Sequence, residues 1–174
     1  GQELFEAAST GGVDLFFEAA VAGGVPLIRV LRESLAGERV TRVMGIVNGT
    51  TNFILTKMTE EGAEYADVLA EAQKLGFAEA DPTADVEGSD AAAKAAILAS
   101  IAFGAKVVAG DVYQEGISHI SPADIAAASH MGHVIKLLAV AESDGREVAV
   151  RVHPTMVPEH HPLASVRDSF NAVF

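Results

Sequence analysis

From Ala91 to Ala105 the chain carries one charged side chain, Lys94, among alanine, isoleucine, leucine, serine, phenylalanine and glycine. Asp90 is placed to start a helix here, because an acidic residue suits the positive end of the helix dipole. Gly104 is placed to stop it, since glycine takes the left-handed conformation that ends helices. A helix that is apolar nearly all round has to be buried, so the remaining elements must wrap it. A lysine on such a helix loses hydration and needs a partner. Asp90 lies four residues earlier, on the same face. At this spacing an ordinary Asp-Lys pair is solvated and contributes about 0.3–0.5 kcal/mol. The absence of any other charge over fifteen residues argues against that reading here. A lysine in such a setting is suited to general acid or base work.

Just upstream, five acidic residues (Glu79, Asp81, Asp85, Glu87 and Asp90) fall within twelve positions. Pro82 and the flanking Gly76 and Gly88 predict an irregular loop delivered by two helices. Calcium is a weak explanation for so many carboxylates. The D-x-[DN]-x-[DN]-G pattern is not met, and a proline after Asp81 has no place in it.

Length and composition limit the partners. At 174 residues the chain can build one domain with a real core. Its net charge of −12 disfavours nucleic acid and anionic membrane surfaces, both of which are held by lysine and arginine. A hydrophobic content of 49% and a mean hydropathy of +0.28 point to apolar surface covered by another domain or subunit. Cysteine is absent, which excludes disulfides, thiolate catalysis and cysteine-zinc sites. No uncharged apolar run reaches the roughly eighteen residues of a membrane span, and the N-terminus does not read as a signal peptide.

Residues 2–8 suit a helix ended near Gly11. Val13-Asp-Leu-Phe-Phe reads as a buried strand, followed by a small, glycine-rich loop over residues 19–26. Pro26 fits the first turn of a helix whose Leu27, Ile28, Leu31 and Leu35 share a face. Residues 39–47 alternate as a strand. Asn48-Gly-Thr-Thr-Asn is a turn into a helix, with asparagine or threonine as its cap, and Gly62 ends that helix. Tyr65, Val68, Leu69, Ala72 and Leu75 recur at helical spacing, with Gly76 as the natural C-cap. Residues 106–110 and 116–120 read as short strands or connections. Ser121-Pro-Ala-Asp124 is a capping box that opens a helix to about His130. His130 and His133 lack a third ligand and are a weak zinc signal. Residues 134–142 and 147–154 form a hairpin about Ser143-Asp-Gly-Arg. His153, His160 and His161 fall near prolines in a loop. Ser165 is a candidate helix cap before an apolar Ala-Val-Phe end. Helices and strands mix without a βαβ rhythm. The expected class is therefore α+β, a mixed, largely antiparallel sheet with helices packed on one face.

The run Ala72-x3-Gly76-Phe77-x-Glu79-x-Asp81-Pro82-x2-Asp85-Val86-x-Gly88-x-Asp90-x3-Lys94 resembles the signature of homoserine dehydrogenases, with every fixed element present. Residues 17–28, 45–55 and 164–174 are similar to the same family. The resemblance implies hydride transfer between L-homoserine and L-aspartate 4-semialdehyde, using NAD or NADP, in threonine and methionine biosynthesis. It implies that Lys94 moves the hydroxyl proton and that Asp90 orients the lysine and binds substrate. It further implies that Glu79 holds the substrate ammonium, Asp85 supports the loop or the lysine, Gly76 lets backbone approach the substrate, and Asn48 and Thr50 lie on the substrate side. It also implies a monovalent cation, Na+ or K+, on backbone oxygens of Glu18, Val21, Gly23 and Val25.

The implied surroundings are the cytoplasm, a homodimer or higher homo-oligomer, and neither nucleic acid nor membrane. No G-x-G-x-x-G or Walker loop occurs in the chain. On the resemblance, residues 1–25 are then the tail of a cofactor-domain side with its connecting loop. Residues 26–174 are a catalytic and dimerisation domain, excised from its cofactor half. The alternative expectation is a non-catalytic binding domain that only dimerises when isolated.

Overall fold

The computed structural model describes residues 2–174. The chain opens with α1 (Gln2–Gly11) and reaches α2 (Leu27–Arg29), whose axis runs on as a wider, π-type turn over Val30–Ser34. Strand β1 (Arg42–Ile46) leads through Asn48 into α3 (Gly49–Glu61), then α4 (Tyr65–Leu75), the short α5 (Thr83–Val86) and α6 (Ser89–Phe103). Strand β2 (Tyr113–Gln114) and α7 (Pro122–His130) precede the long hairpin of β3 (His133–Ser143) and β4 (Val148–Pro158). The last element is β5 (Ala172–Val173).

The sheet order is β2-β4-β3-β1-β5, antiparallel except for the two-residue β2–β4 pair. Strand alternation divides the core. Ile135, Leu137, Ala139 and Ala141 face the helices together with Val43, Val150 and Val152. Leu138 and Val140 face the opposite way, onto Ile46, Val157 and the Leu163–Ala164 turn. The expected α+β class and one-sided helical layer are therefore present. Helix α6 lies across β3 and β4, and along it only Ser89 and Ala93 are exposed. Its alanines let the helix sit close to the strands.

Several local expectations needed correction. Residues 13–17 form no strand, and Phe16 is 87% exposed. The apolar run signals burial, but a strand needs a ladder partner, and none of the described residues offers one. Phe17 instead meets Phe5 edge to face at 5.0 Å. The acidic loop is less irregular than expected, because α5 interrupts it. Helix α6 starts at Ser89, with Gly88 at the N-cap (φ 84°), so Asp90 lies inside its first turn. Strand β2 falls between the two stretches expected to be short strands. His153 is a half-buried member of β4 rather than a loop residue. Ser165 ends a 3-10 turn that His161 caps, and its hydroxyl donates to Pro162 O at 2.8 Å.

Candidate functional site

Strand β1 ends at Ile46 and α3 begins at Gly49, so the Val47 carbonyl is released from the ladder just where α6 starts. The Lys94 ammonium donates to it at 3.1 Å and to Asp90 Oδ2 at 2.7 Å. The lysine and aspartate side chains are 26% and 31% exposed, so the pair is neither in bulk water nor sealed away. That is a position a small polar molecule can reach. Asp85 is delivered by α5, whose chain turns back at Gly88 into α6.

Asn48 joins these elements. It caps α3, its Oδ1 accepting from Thr51 N at 2.9 Å and Thr51 Oγ1 at 3.0 Å. Its Nδ2 donates to Asp85 Oδ1 at 2.7 Å and to Asp90 Oδ2 at 2.8 Å. Three of the expected residues, Lys94, Asp90 and Asp85, thus form one network through a fourth. Thr50 is buried beside it and donates to the Phe77 carbonyl at 2.6 Å. The Phe77 ring stacks on Phe53 at 4.7 Å. These contacts seat the end of α4 and Gly76 (φ 83°) on the start of α3. Glu79 is exposed. Its backbone carbonyl is held by Gln73 Nε2 at 3.0 Å, and its carboxylate makes no hydrogen bond or ion pair among the described residues. It stays outside the Asn48 network.

The loop expected to hold a cation is curled by two consecutive positive φ values, at Ala22 and Gly23. Both Glu18 carboxylate oxygens serve the next helix, accepting from Ile28 N at 2.7 Å and Arg29 N at 2.9 Å. Any ion in this loop would therefore rest on backbone oxygens rather than on that carboxylate. His130 and His133 each spend Nδ1 on a nearby backbone carbonyl, at 2.7 Å in both cases. No group of three or more His, Cys, Asp or Glu fit to hold a metal ion occurs among the described residues. No helix among them is long and apolar enough to cross a membrane. A groove of about 290 Å³ between α7 and β4, lined by residues such as Ile120, Met131 and Met156, shares no residue with the acidic network.

Two features were not anticipated from the sequence. The Val47 carbonyl leaves no side-chain signal. Lys136, on β3, is 1% exposed, and its ammonium donates to Asn52 Oδ1 at 2.9 Å, Thr56 Oγ1 at 3.4 Å and Val166 O at 2.6 Å. The signal for it was a lone lysine in an apolar strand. Burial pushes this ammonium down to about 8, with Arg167 acting in the same direction and Glu60 and Asp168 opposing.

Residues 26–174 match the family model described as homoserine dehydrogenase. A homoserine dehydrogenase of Corynebacterium glutamicum is 63% identical over 99% of this chain and 40% of its own length. One from Bacillus subtilis is 53% identical over 100% of this chain and 40% of its own length. The crystal structure of a homoserine dehydrogenase from Thiobacillus denitrificans superimposes with a TM-score of 0.95 at 50% identity, covering 98% of this chain and 40% of that one. A hyperthermophilic archaeal homoserine dehydrogenase in complex with NADPH superimposes at 0.81 with 33% identity, covering 98% and 48%. The chain thus spans about 40% of the length of the curated relatives it matches.

Proposed function

The chain belongs to the homoserine dehydrogenase family, and from that membership we propose that it forms the substrate and proton-transfer part of an NAD(P)-dependent enzyme interconverting L-homoserine and L-aspartate 4-semialdehyde. On this reading residues 26–174 are the catalytic and dimerisation domain, and residues 1–25 connect it to a cofactor side. The NADPH complex of the archaeal relative supports the cofactor class. The setting proposed is cytoplasmic synthesis of threonine and methionine.

The observation that carries the proposal is the Lys94–Asp90 pair at 2.7 Å, joined through Asn48 to a second carboxylate, Asp85, just past the end of β1. Hydride transfer is the cofactor's chemistry, and on this reading the cofactor is held mainly by a domain other than this one. This chain supplies the proton. In the reducing direction the Lys94 ammonium donates to the aldehyde oxygen as it becomes an alkoxide. In the oxidising direction the neutral amine takes the hydroxyl proton. Asp90 holds the ammonium in place by a charge-assisted bond. The Glu79 carboxylate, without a hydrogen-bond or ion-pair partner among the described residues, receives the substrate ammonium. Asp85 supports the same loop, and Thr50 and Gly76 form the adjoining wall, where a glycine lets backbone come close.

In full-length enzyme, Lys94→Ala should lower kcat for homoserine-dependent NADP reduction by at least about 100-fold. Retained turnover would remove the assignment. Glu79→Gln, which keeps shape and loses charge, should raise the KM for homoserine by about tenfold or more, the value of one charge-assisted contact. An unchanged KM would move the ammonium site elsewhere.

Backbone oxygens of Glu18, Val21, Gly23 and Val25 are the proposed seat of Na+ or K+, which would brace the loop ahead of α2. Exchanging both ions for a bulky organic cation should lower thermal stability if that seat is real. A second reading, a domain that dimerises without catalysing, draws on exposed Met131 and Met156 and on the outer edge of β4 beyond Val152, which no described strand covers. Sedimentation of this chain as a dimer indifferent to homoserine would favour it for the isolated domain.

A further inference from the structure

We infer that Asn48 is a positioning residue, which sets the two carboxylates of the site and thereby the spare proton of Lys94, rather than a group that touches substrate. The inference rests on the proposed function above and concerns the same site. Asn48 is 5% exposed, and both ends of its amide are used. Oδ1 accepts from the Thr51 N–H and hydroxyl. Each of the two Nδ2 hydrogens goes to a carboxylate from a different helix, Asp85 on α5 and Asp90 on α6. Reversing the amide would set its oxygen against two carboxylates and its N–H2 against the Thr51 N–H, so the orientation is forced. Nothing of this amide is left over for a ligand.

The consequences run through Asp90. Its Oδ2 accepts from both Asn48 and Lys94, at 2.8 and 2.7 Å, so its Oδ1 makes no hydrogen bond among the described residues. Asp85 likewise uses Oδ1 on the amide and keeps Oδ2. A lysine ammonium has three protons. One goes to Asp90 and one to Val47 O, which leaves one for a reacting oxygen. Like charges this close repel, and here a neutral double donor sits between them. The charged groups facing the amide are Asp85 from α5 and Asp90 from α6, with Lys94 behind Asp90.

Asn48→Asp tests this in full-length enzyme, because aspartate caps a helix as well as asparagine and donates nothing. It should fold, lose at least about tenfold in kcat, the worth of hydrogen bonds to charged groups, and move the acid side of the kcat–pH profile upward. The aspartate adds a carboxylate beside two others in place of a neutral donor, and like charges so placed favour the protonated form of the variant's site. Wild-type turnover with an unmoved profile overturns the inference. Lost turnover with an unmoved profile also overturns it, since simple damage to α3 would do the same. If the aspartate variant does not fold, Asn48→Ser decides, because it keeps a capping oxygen but cannot reach both carboxylates. A loss of about tenfold with a displaced kcat–pH profile supports the bridge, and wild-type kcat or an unmoved profile overturns it. Wild-type enzyme assayed in parallel separates the two layers. Without homoserine turnover there, the functional reading itself falls. With turnover there and in the variants, only the role of Asn48 falls.

Discussion

Lys136 is the residue that sets the stability of the far side of the sheet. Its charge is held by three neutral oxygens, one of them the Val166 carbonyl of the C-terminal segment. Lys136→Met would leave the Asn52 amide oxygen without a donor and the Val166 carbonyl with only the longer bond from Asn52 Nδ2 at 3.4 Å, costing about 1–3 kcal/mol at neutral pH. Because the folded-state value lies near 8, below the ordinary 10.5, the unfolded chain binds more proton between those limits. Stability contributed by this group therefore rises as pH climbs from 8 to 10.5. Urea unfolding across that window should show the gap between wild type and Lys136→Met widening. A constant gap would contradict the buried charge. The Lys94–Asp90 pair was readable from sequence because its partners are four residues apart on the same helix face. From its own neighbours Asn48 was readable only as a cap, and the resemblance set it on the substrate side without its partners. Its carboxylate partners lie 37 and 42 residues on, and no local pattern announces a contact across that distance.

At the level of elements, what the sequence disclosed was local. Helix α4 with its Gly76 cap, the Ser121–Asp124 capping box of α7 and the β3–β4 hairpin all follow from neighbours within a few positions. Strand β2 did not, because it exists only through pairing Tyr113 and Gln114 with Arg151 and Val152. Residues 13–17 were misread for the converse reason, having strand composition without a neighbour. The approach of the 113–117 segment to α5 is another tertiary fact. A Cβ on Gly116 would lie 2.3 Å from the Val86 carbonyl oxygen and 2.6 Å from Glu87 Cα. Gly116→Ala must therefore push α5 or the segment aside. The expected cost is about 1–3 kcal/mol, as for other overpacked sites. Calorimetry should show a clearly lowered Tm, and an unchanged Tm would mean that this contact is loose. Because α5 carries Asp85, activity should fall as well.

The whole molecule is organised so that the end of one inner strand and three helices meet at a single corner. Val47 follows β1, Asn48 caps α3, which carries Thr50, α5 brings Asp85 and α6 brings Asp90 and Lys94. The fold class was accessible in advance because the hairpin and the all-apolar α6 leave few ways to bury one against the other. The strand order was not, since β5 pairs with β1 across more than a hundred residues. The chain spans about 40% of the length of curated relatives such as the Corynebacterium glutamicum homoserine dehydrogenase. The most direct test of the account is homoserine-dependent NADP reduction by full-length enzyme, wild type beside Lys94→Ala. The account predicts turnover in the first and a loss of at least about 100-fold in the second, with both folded. Equal turnover in the two would contradict it.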